Sequence, residues 1–170
     1  MKRYDRVMFL CNSNTFRSPL AEALYRQKAP NWLPESVSRG IVVLFSQPIS
    51  PKVNVLLSKH DVKVSSHESS KKLDIEEISS DTLLLTMTLS EKVRVMEDFG
   101  IESNLYTLGE YTEQNKDVVY MHDADEEQYE KFYSEIENII EKVILRMEAE
   151  YHESDEKNEQ EEKQNDSIGE

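Results

Sequence analysis

Cysteine occurs once among the 170 residues, at Cys11. No internal disulfide framework is therefore available. A lone thiol suits a reducing compartment, where it stays free to react, and a cytoplasmic location is expected. Positive charge is the second shortage. Twenty Lys and Arg stand against 34 Asp and Glu, a formal net charge of −14, and no basic cluster offsets it. Nucleic-acid backbones demand clustered Lys and Arg, so nucleic acid is excluded as a general partner. Long hydrophobic runs are also missing. Met1-Lys2-Arg3-Tyr4-Asp5-Arg6 is charged, and the apolar run after it falls far short of the ~20 residues that span a bilayer. Neither a signal peptide nor a membrane partner is expected, and no internal repeat interrupts the chain.

What is present fits one globular domain with room for a core. The acid is concentrated at the end: residues 151–170 hold eight acids and two lysines, a net of −6. This segment lacks apolar periodicity and is expected to be a disordered, solvating tail, which places the folded domain at 1–150. Within it, Val7–Leu10 reads as a buried strand. Ser18 is the expected N-cap of a helix with Pro19 at its first position and Leu20, Ala21, Ala23 and Leu24 inward. Glu35–Ser38 reads as a second strand, closed by Gly40. Pro51 starts a helix with Val53, Leu56 and Leu57 inward. Asp81–Met87 is the clearest central strand. Ser90 is the expected cap of a helix carrying Val93, Met96 and Phe99 and stopped at Gly100. Asn104–Leu108 is a fourth strand, followed by a polar loop from Gly109 to about Asp125. The last helix repeats Tyr129, Phe132/Tyr133, Ile136, Ile139/Ile140, Val143/Ile144 and Met147 at helical spacing. Strands alternating with helices imply an open parallel four-stranded sheet flanked by helices, an α/β fold. Ligands bind outside the carboxyl ends of such strands.

Cys11 lies at one such end. Five residues separate it from Arg17, and Ser18-Pro19 then opens a helix. A thiol at the mouth of such a loop faces backbone N–H groups and a helix N-terminus, both of which favour negative charge. The same groups suit a phosphate dianion, and Arg17 adds a fork for two phosphoryl oxygens. Ser18 is placed to donate a hydrogen bond to the thiolate. The chemistry implied is attack on a phosphate ester and hydrolysis of a phosphocysteine intermediate. The alternative is a buried structural cysteine with Arg17 on the surface; the strand before and the Ser-Pro helix start after favour the chemical reading.

These residues resemble the low-molecular-weight protein tyrosine phosphatase family, whose signature reads Cys-x-Gly-Asn-x-Cys-Arg-Ser-Pro. The chain has Cys11, Asn14, Arg17, Ser18 and Pro19, then Ala21-Glu22. The similarity continues through Ser38-x-Gly40, Ile49-Ser50-Pro51, Ser66-His67, Leu84-Leu85-Thr86-Met87-Thr88 and Leu108-Gly109-Glu110-Tyr111, and reaches Tyr129 and the helix after it. The resemblance implies a phosphotyrosine phosphatase I-like, flavodoxin-like fold. It implies a phosphorylated protein or small phosphomonoester as partner, with neither metal nor cofactor. Carried over, Cys11 is the nucleophile, Arg17 the phosphate clamp and Ser18 the thiolate's hydrogen-bond donor. Asn12, Ser13, Asn14, Thr15 and Phe16 form the cradle, and Asn14 holds the loop's shape in a network with His67.

Three departures qualify the resemblance. Ser13 replaces the signature glycine, where left-handed backbone is expected to cost on the order of 1 kcal/mol. Phe16 replaces the second cysteine, which removes the neighbouring thiol and speaks against arsenate reduction. The family's Asp-Pro general acid, followed by an aromatic, is also missing. Gapless alignment from Asp117-Val118 to Tyr129 puts Tyr120 at the aspartate, Met121 at the proline and His122 at the aromatic. General acid catalysis contributes ~10²–10⁴-fold. A phenol with a pKa near ~10 donates poorly, so impaired turnover is expected unless His122, Asp123 or Asp125 takes over the role. Thr15 resembles the branch acting on phosphoarginine. The expected function is hydrolysis of phosphotyrosine, or phosphoarginine, at reduced rate. The alternative is a degenerate module that binds phosphoproteins.

Overall fold

The computed structural model describes residues 2–63 and 67–168. Ser66 of the Ser66-His67 pair therefore lies outside the described residues, as do Gly169 and Glu170. Four parallel strands form the sheet: β1 (Arg6–Cys11), β2 (Glu35–Gly40), β3 (Thr82–Thr86) and β4 (Leu105–Thr107), in spatial order β2-β1-β3-β4. Helices α1 (Arg17–Lys28), α2 (Pro51–Lys59), α3 (Leu89–Phe99), the short α4 (Leu108–Tyr111) and α5 (Glu126–Ile168) connect and follow them. This is the expected open parallel α/β sheet.

Strand alternation divides the core. Val7, Phe9, Leu83 and Leu85 face the layer built from α1 and α5, whereas Met8, Leu10, Leu84 and Leu105 meet Val95 of α3 on the other side. β1 pairs with β2 on one edge and β3 on the other. The chain reverses its order of travel across β1, so a crevice opens above the end of β1, where Cys11 pairs in register with Gly40.

Two helix boundaries differ from expectation. α1 begins at Arg17, with Phe16 in the cap position and no side-chain cap, because the Ser18 hydroxyl is engaged elsewhere. Thr88, not Ser90, caps α3: its Oγ1 accepts the Glu91 N–H, and the Glu91 carboxylate accepts the Thr88 N–H. The buried stripe of α3 is Glu91 and Val95, with Phe99 packed beside it, while Val93 and Met96 are exposed. Spacing of four residues along one narrow line suffices, because among the described residues α3 is the one α-helix packed on that face of the sheet. Gly100 ends α3 at φ 67°, the left-handed cap that glycine adopts without penalty.

The acidic segment expected to be disordered continues α5 as helix to Ile168. Its first turn has partners at the other end of the chain. Tyr151 and Ser154 are buried, Arg3 donates to Ser154 Oγ (2.9 Å) and pairs with Asp155, and the Tyr4 N–H donates to the Tyr151 hydroxyl (3.0 Å). Trp32 stacks edge-on against Tyr151. Beyond these contacts the sequence is rich in Glu, Lys and Gln, which lose little freedom in a helix. No helix among the described residues is long and apolar enough to cross a membrane.

Candidate active site

β1 delivers Cys11 to the carboxyl edge of the sheet, and the chain turns through residues 12–16 into α1. The sulfur is buried. It receives the Asn14 N–H at 3.3 Å and lies 3.0 Å from Ser18 Oγ. Ser18 Oγ also accepts from Asn14 Nδ2 at 2.9 Å, which leaves the serine hydrogen for Sγ. The hydroxyl expected to cap α1 is thus turned toward the thiol.

Asn14 organises the loop. It is 0% exposed and saturated. Nδ2 donates to Ser18 Oγ and, at 3.0 Å, to Ser38 Oγ; Oδ1 accepts the Lys71 N–H (2.9 Å) and His67 Nε2 (3.2 Å). A backbone N–H on Oδ1 fixes the amide's orientation, so Nε2 of His67 carries a hydrogen. Ser38 in turn donates to Glu22 Oε2 at 2.6 Å, and the same oxygen lies 3.7 Å from His67 Nδ1. Burial holds His67 below the usual histidine value of 6.5, with Glu22 opposing part of that shift. The strain expected at Ser13 falls instead on Asn14, which has φ 54°; Ser13 has no positive φ. Asparagine tolerates that region better than most residues. Ser13 is exposed, and its Oγ lies 2.9 Å from Thr15 Oγ1. A Cβ on Gly40 would overlap Val43 Cγ2 and stand 3.1 Å from both Asn12 O and Asn14 Cβ, so a side chain there would crowd the loop.

Arg17 is buried at the other end of the loop. Nη2 donates to Glu91 Oε1 at 2.7 Å and Nη1 to Val118 O at 3.1 Å. Glu91 Oε1 also accepts the Asn12 N–H at 3.0 Å, so that amide bonds to protein. Sequence reasoning missed Glu91. The Thr88-x-x-Glu91 pattern was the available signal: it marks a capped helix start, directly after β3, the neighbour of β1.

Residues on the 112–125 loop form the other wall. Phe16 packs among Tyr120, Tyr129 and Phe132, with Tyr120 edge-on at 6.0 Å. Tyr120 is 42% exposed, and His122 lies edge-on to it at 4.8 Å. The nearby carboxylates have other partners. Asp117 Oδ1 accepts the Leu89 N–H at 3.1 Å, and Asp125 Oδ1 accepts the Gln128 N–H at 2.8 Å as the cap of α5. Asp123 is exposed, with φ 51°. Among the described residues, no hydrogen bond joins the Tyr120, His122 or Asp123 side chains to the Cys11 loop. A cavity of about 210 Å³ beside Ser13 is lined by Val42, Val43, Leu44 and Phe45, and Leu44 is 89% exposed. Among the described residues, no cluster of three His, Cys, Asp or Glu is arranged to hold a metal ion.

The arrangement can accept an anion between a guanidinium and loop amides, beside a sulfur with two hydrogen-bond donors. Comparisons with known proteins point the same way. Residues 6–155 match the model of the family described as "Low molecular weight phosphotyrosine protein phosphatase". The low molecular weight protein-tyrosine-phosphatase PtpB of Staphylococcus aureus is 30% identical over 138 residues, which are 81% of this chain and 96% of that protein. A low molecular weight protein tyrosine phosphatase from T. tengcongensis superposes with a TM-score of 0.74 at 29% identity, over 83% of this chain and 98% of that one. The YwlE arginine phosphatase from Geobacillus stearothermophilus superposes with a TM-score of 0.78 at 25% identity, over 87% and 96%.

Proposed function

The chain belongs to the low molecular weight phosphotyrosine protein phosphatase family, and on that premise we propose that it removes phosphate from phosphotyrosine in proteins through a phosphocysteine intermediate. One observation carries the reading: a single loop holds a sulfur with two donors and, six residues on, a buried guanidinium. The Cys11 thiolate attacks phosphorus. An S–P bond forms and the P–O bond to the phenol breaks, the electron pair leaving on oxygen. Arg17 and the loop amides hold the equatorial oxygens as charge spreads over them. The Ser18 hydroxyl supports the sulfur when it leaves again, as water attacks phosphorus and inorganic phosphate departs. Asn14 and His67 keep the loop in shape. The exposed apolar side chains of Leu44 and Phe45 flank the entrance for the organic part of the substrate, as does the Tyr120 ring. A free catalytic thiol fits a reducing cytoplasm.

Tyr120 supports reduced turnover. It donates a proton to the leaving oxygen poorly, and once protonated it does not take one from the attacking water. Good leaving groups are therefore favoured over phosphotyrosine itself. Phosphoarginine is the second substrate class, supported by the Thr15 hydroxyl on the cradle and by the similarity to an arginine phosphatase. If the missing acid stops turnover altogether, the same loop serves as a phosphoprotein-binding module.

The test is hydrolysis of p-nitrophenyl phosphate by the wild type and by Cys11→Ser, followed by phosphotyrosine and phosphoarginine peptides. Turnover lost in Cys11→Ser is expected, with slower release from phosphotyrosine than from p-nitrophenyl phosphate. Equal rates for the two proteins would sink the reading.

A further inference from the structure

The buried carboxylate of Glu91 takes no part in the chemistry above. Glu91 is 2% exposed. Its Oε1 accepts both the Asn12 N–H (3.0 Å) and Arg17 Nη2 (2.7 Å), and its Oε2 accepts the Thr88 N–H (3.1 Å). Asn12 directly follows the nucleophile and Arg17 is the clamp. One oxygen thus ties the beginning of the loop to its end, and the carboxylate's other oxygen fastens both to the capped start of α3.

We propose that Glu91 is a positioning residue that sets the Arg17 guanidinium for the phosphoryl group. The proposal rests on the phosphatase reading above. A long arginine side chain has many rotamers to lose before it can present a fixed fork. Here Glu91 and Val118 O occupy one N–H on Nη2 and one on Nη1. Of the five donors of a guanidinium, three are left without protein partners among the described residues and are available to phosphoryl oxygens. The pair is buried, and a buried pair contributes little net stability because desolvation offsets its attraction. Its value lies in geometry. The three groups facing the carboxylate are all donors: Asn12 N–H, Arg17 Nη2 and Thr88 N–H. Only an acceptor on both oxygens satisfies them. A glutamine has one acceptor oxygen for these three donors, so its NH₂ must face either Thr88 N–H or the Asn12–Arg17 pair, and in both orientations it lacks the charge that holds the guanidinium. Glu91→Gln thus preserves size while loosening the clasp.

The test is a double-mutant cycle of wild type, Glu91→Gln, Arg17→Ala and the double variant. It is read as kcat and KM for p-nitrophenyl phosphate, as orthovanadate binding by calorimetry, and as thermal stability. Val95→Ala is the control, since it thins the buried line of α3 without removing a bond to Glu91 or Arg17. A misplaced reacting group costs on the order of 10²-fold, so Glu91→Gln is expected to lower kcat by ~10- to 100-fold while KM moves far less, with orthovanadate affinity falling in parallel. On Arg17→Ala, the added Glu91→Gln is expected to change orthovanadate binding by no more than about twofold, the scatter of uncoupled measurements. Val95→Ala is expected to lower stability and leave kcat in place. Equal losses in both backgrounds would overturn the proposal, as would a kcat loss in Val95→Ala matching that of Glu91→Gln. A wild type that neither hydrolyses p-nitrophenyl phosphate nor binds orthovanadate would overturn the phosphatase reading and this inference with it. An active wild type with an additive cycle would overturn this inference alone.

Discussion

The Cys11–Ser18 loop and the 112–125 loop touch at Arg17 and Phe16, yet they are built on opposite terms. In the first, Asn14 is sealed from solvent with four hydrogen bonds, and the buried Arg17 is held from two sides. In the second, Val119, Tyr120, His122 and Asp123 are open to water. The carboxylates Asp117 and Asp125 are engaged with the N-terminal N–H groups of α3 and α5. Binding needs a fixed cradle, whereas leaving-group departure needs a proton donor near the departing oxygen. On the proposed reading, the chain orders the residues that the first task needs and leaves the second to the Tyr120 phenol.

Predictions that probe this contrast begin with its weak side. Tyr120→Asp restores a carboxyl at the aligned position. It is expected to raise kcat for phosphotyrosine peptides toward the ~10²–10⁴-fold that a general acid contributes, with a much smaller gain for p-nitrophenyl phosphate. No gain on either substrate would mean that Tyr120 does not stand at the acid's position.

On the strong side, Asn14→Ala removes one residue's four hydrogen bonds and leaves an alanine at φ 54°. Orphaned buried partners cost about 1–3 kcal/mol and the left-handed backbone about 1–2 kcal/mol. A fall in Tm of several degrees is therefore expected by calorimetry, together with lost turnover. An unchanged Tm would show that the loop is fixed by other means.

The smallest effect concerns pH. Burial keeps His67 neutral and its pKa below 6.5. Between that lowered value and 6.5 the unfolded chain binds more protons than the folded one, so stability falls as pH drops below 6.5 and the loss levels off beneath the folded value. The wild type should lose more Tm between pH 7.5 and 5.5 than His67→Gln does. Identical slopes would remove His67 from the account.

How much was legible in the sequence follows from how local each cause is. β1 and β3 were readable because buried parallel strands are continuous apolar runs. The inward face of α5 was readable because Phe132 to Met147 repeat with the helix. The Cys11, Asn14, Arg17 and Ser18 cluster was readable as a motif, and His67 was placed beside Asn14 as expected. Other features depend on distant partners. The buried line of α3 runs through Val95 rather than Val93 and Met96, which depends on how one helix lies across the sheet. Loop closure decides that Asn14, not Ser13, takes the left-handed backbone. Glu91 reaches Arg17 across 74 residues, and no local pattern encodes that pairing. The segment after residue 150 has too few apolar residues to predict order; its first turn is held by Arg3 and Tyr4.

That last contact sets an order of events during synthesis. Arg3 and Tyr4 lead into β1, the strand that ends in Cys11, and their partners Tyr151, Ser154 and Asp155 are made about 150 residues later. The face of α5 that covers α1 likewise follows β1 late in this order. A nascent chain therefore carries Cys11 on a strand whose start is unfastened until these residues have left the ribosome, and long-range closures of this kind are slow to form. The start of β1 is fastened only once segments about 150 residues apart have met.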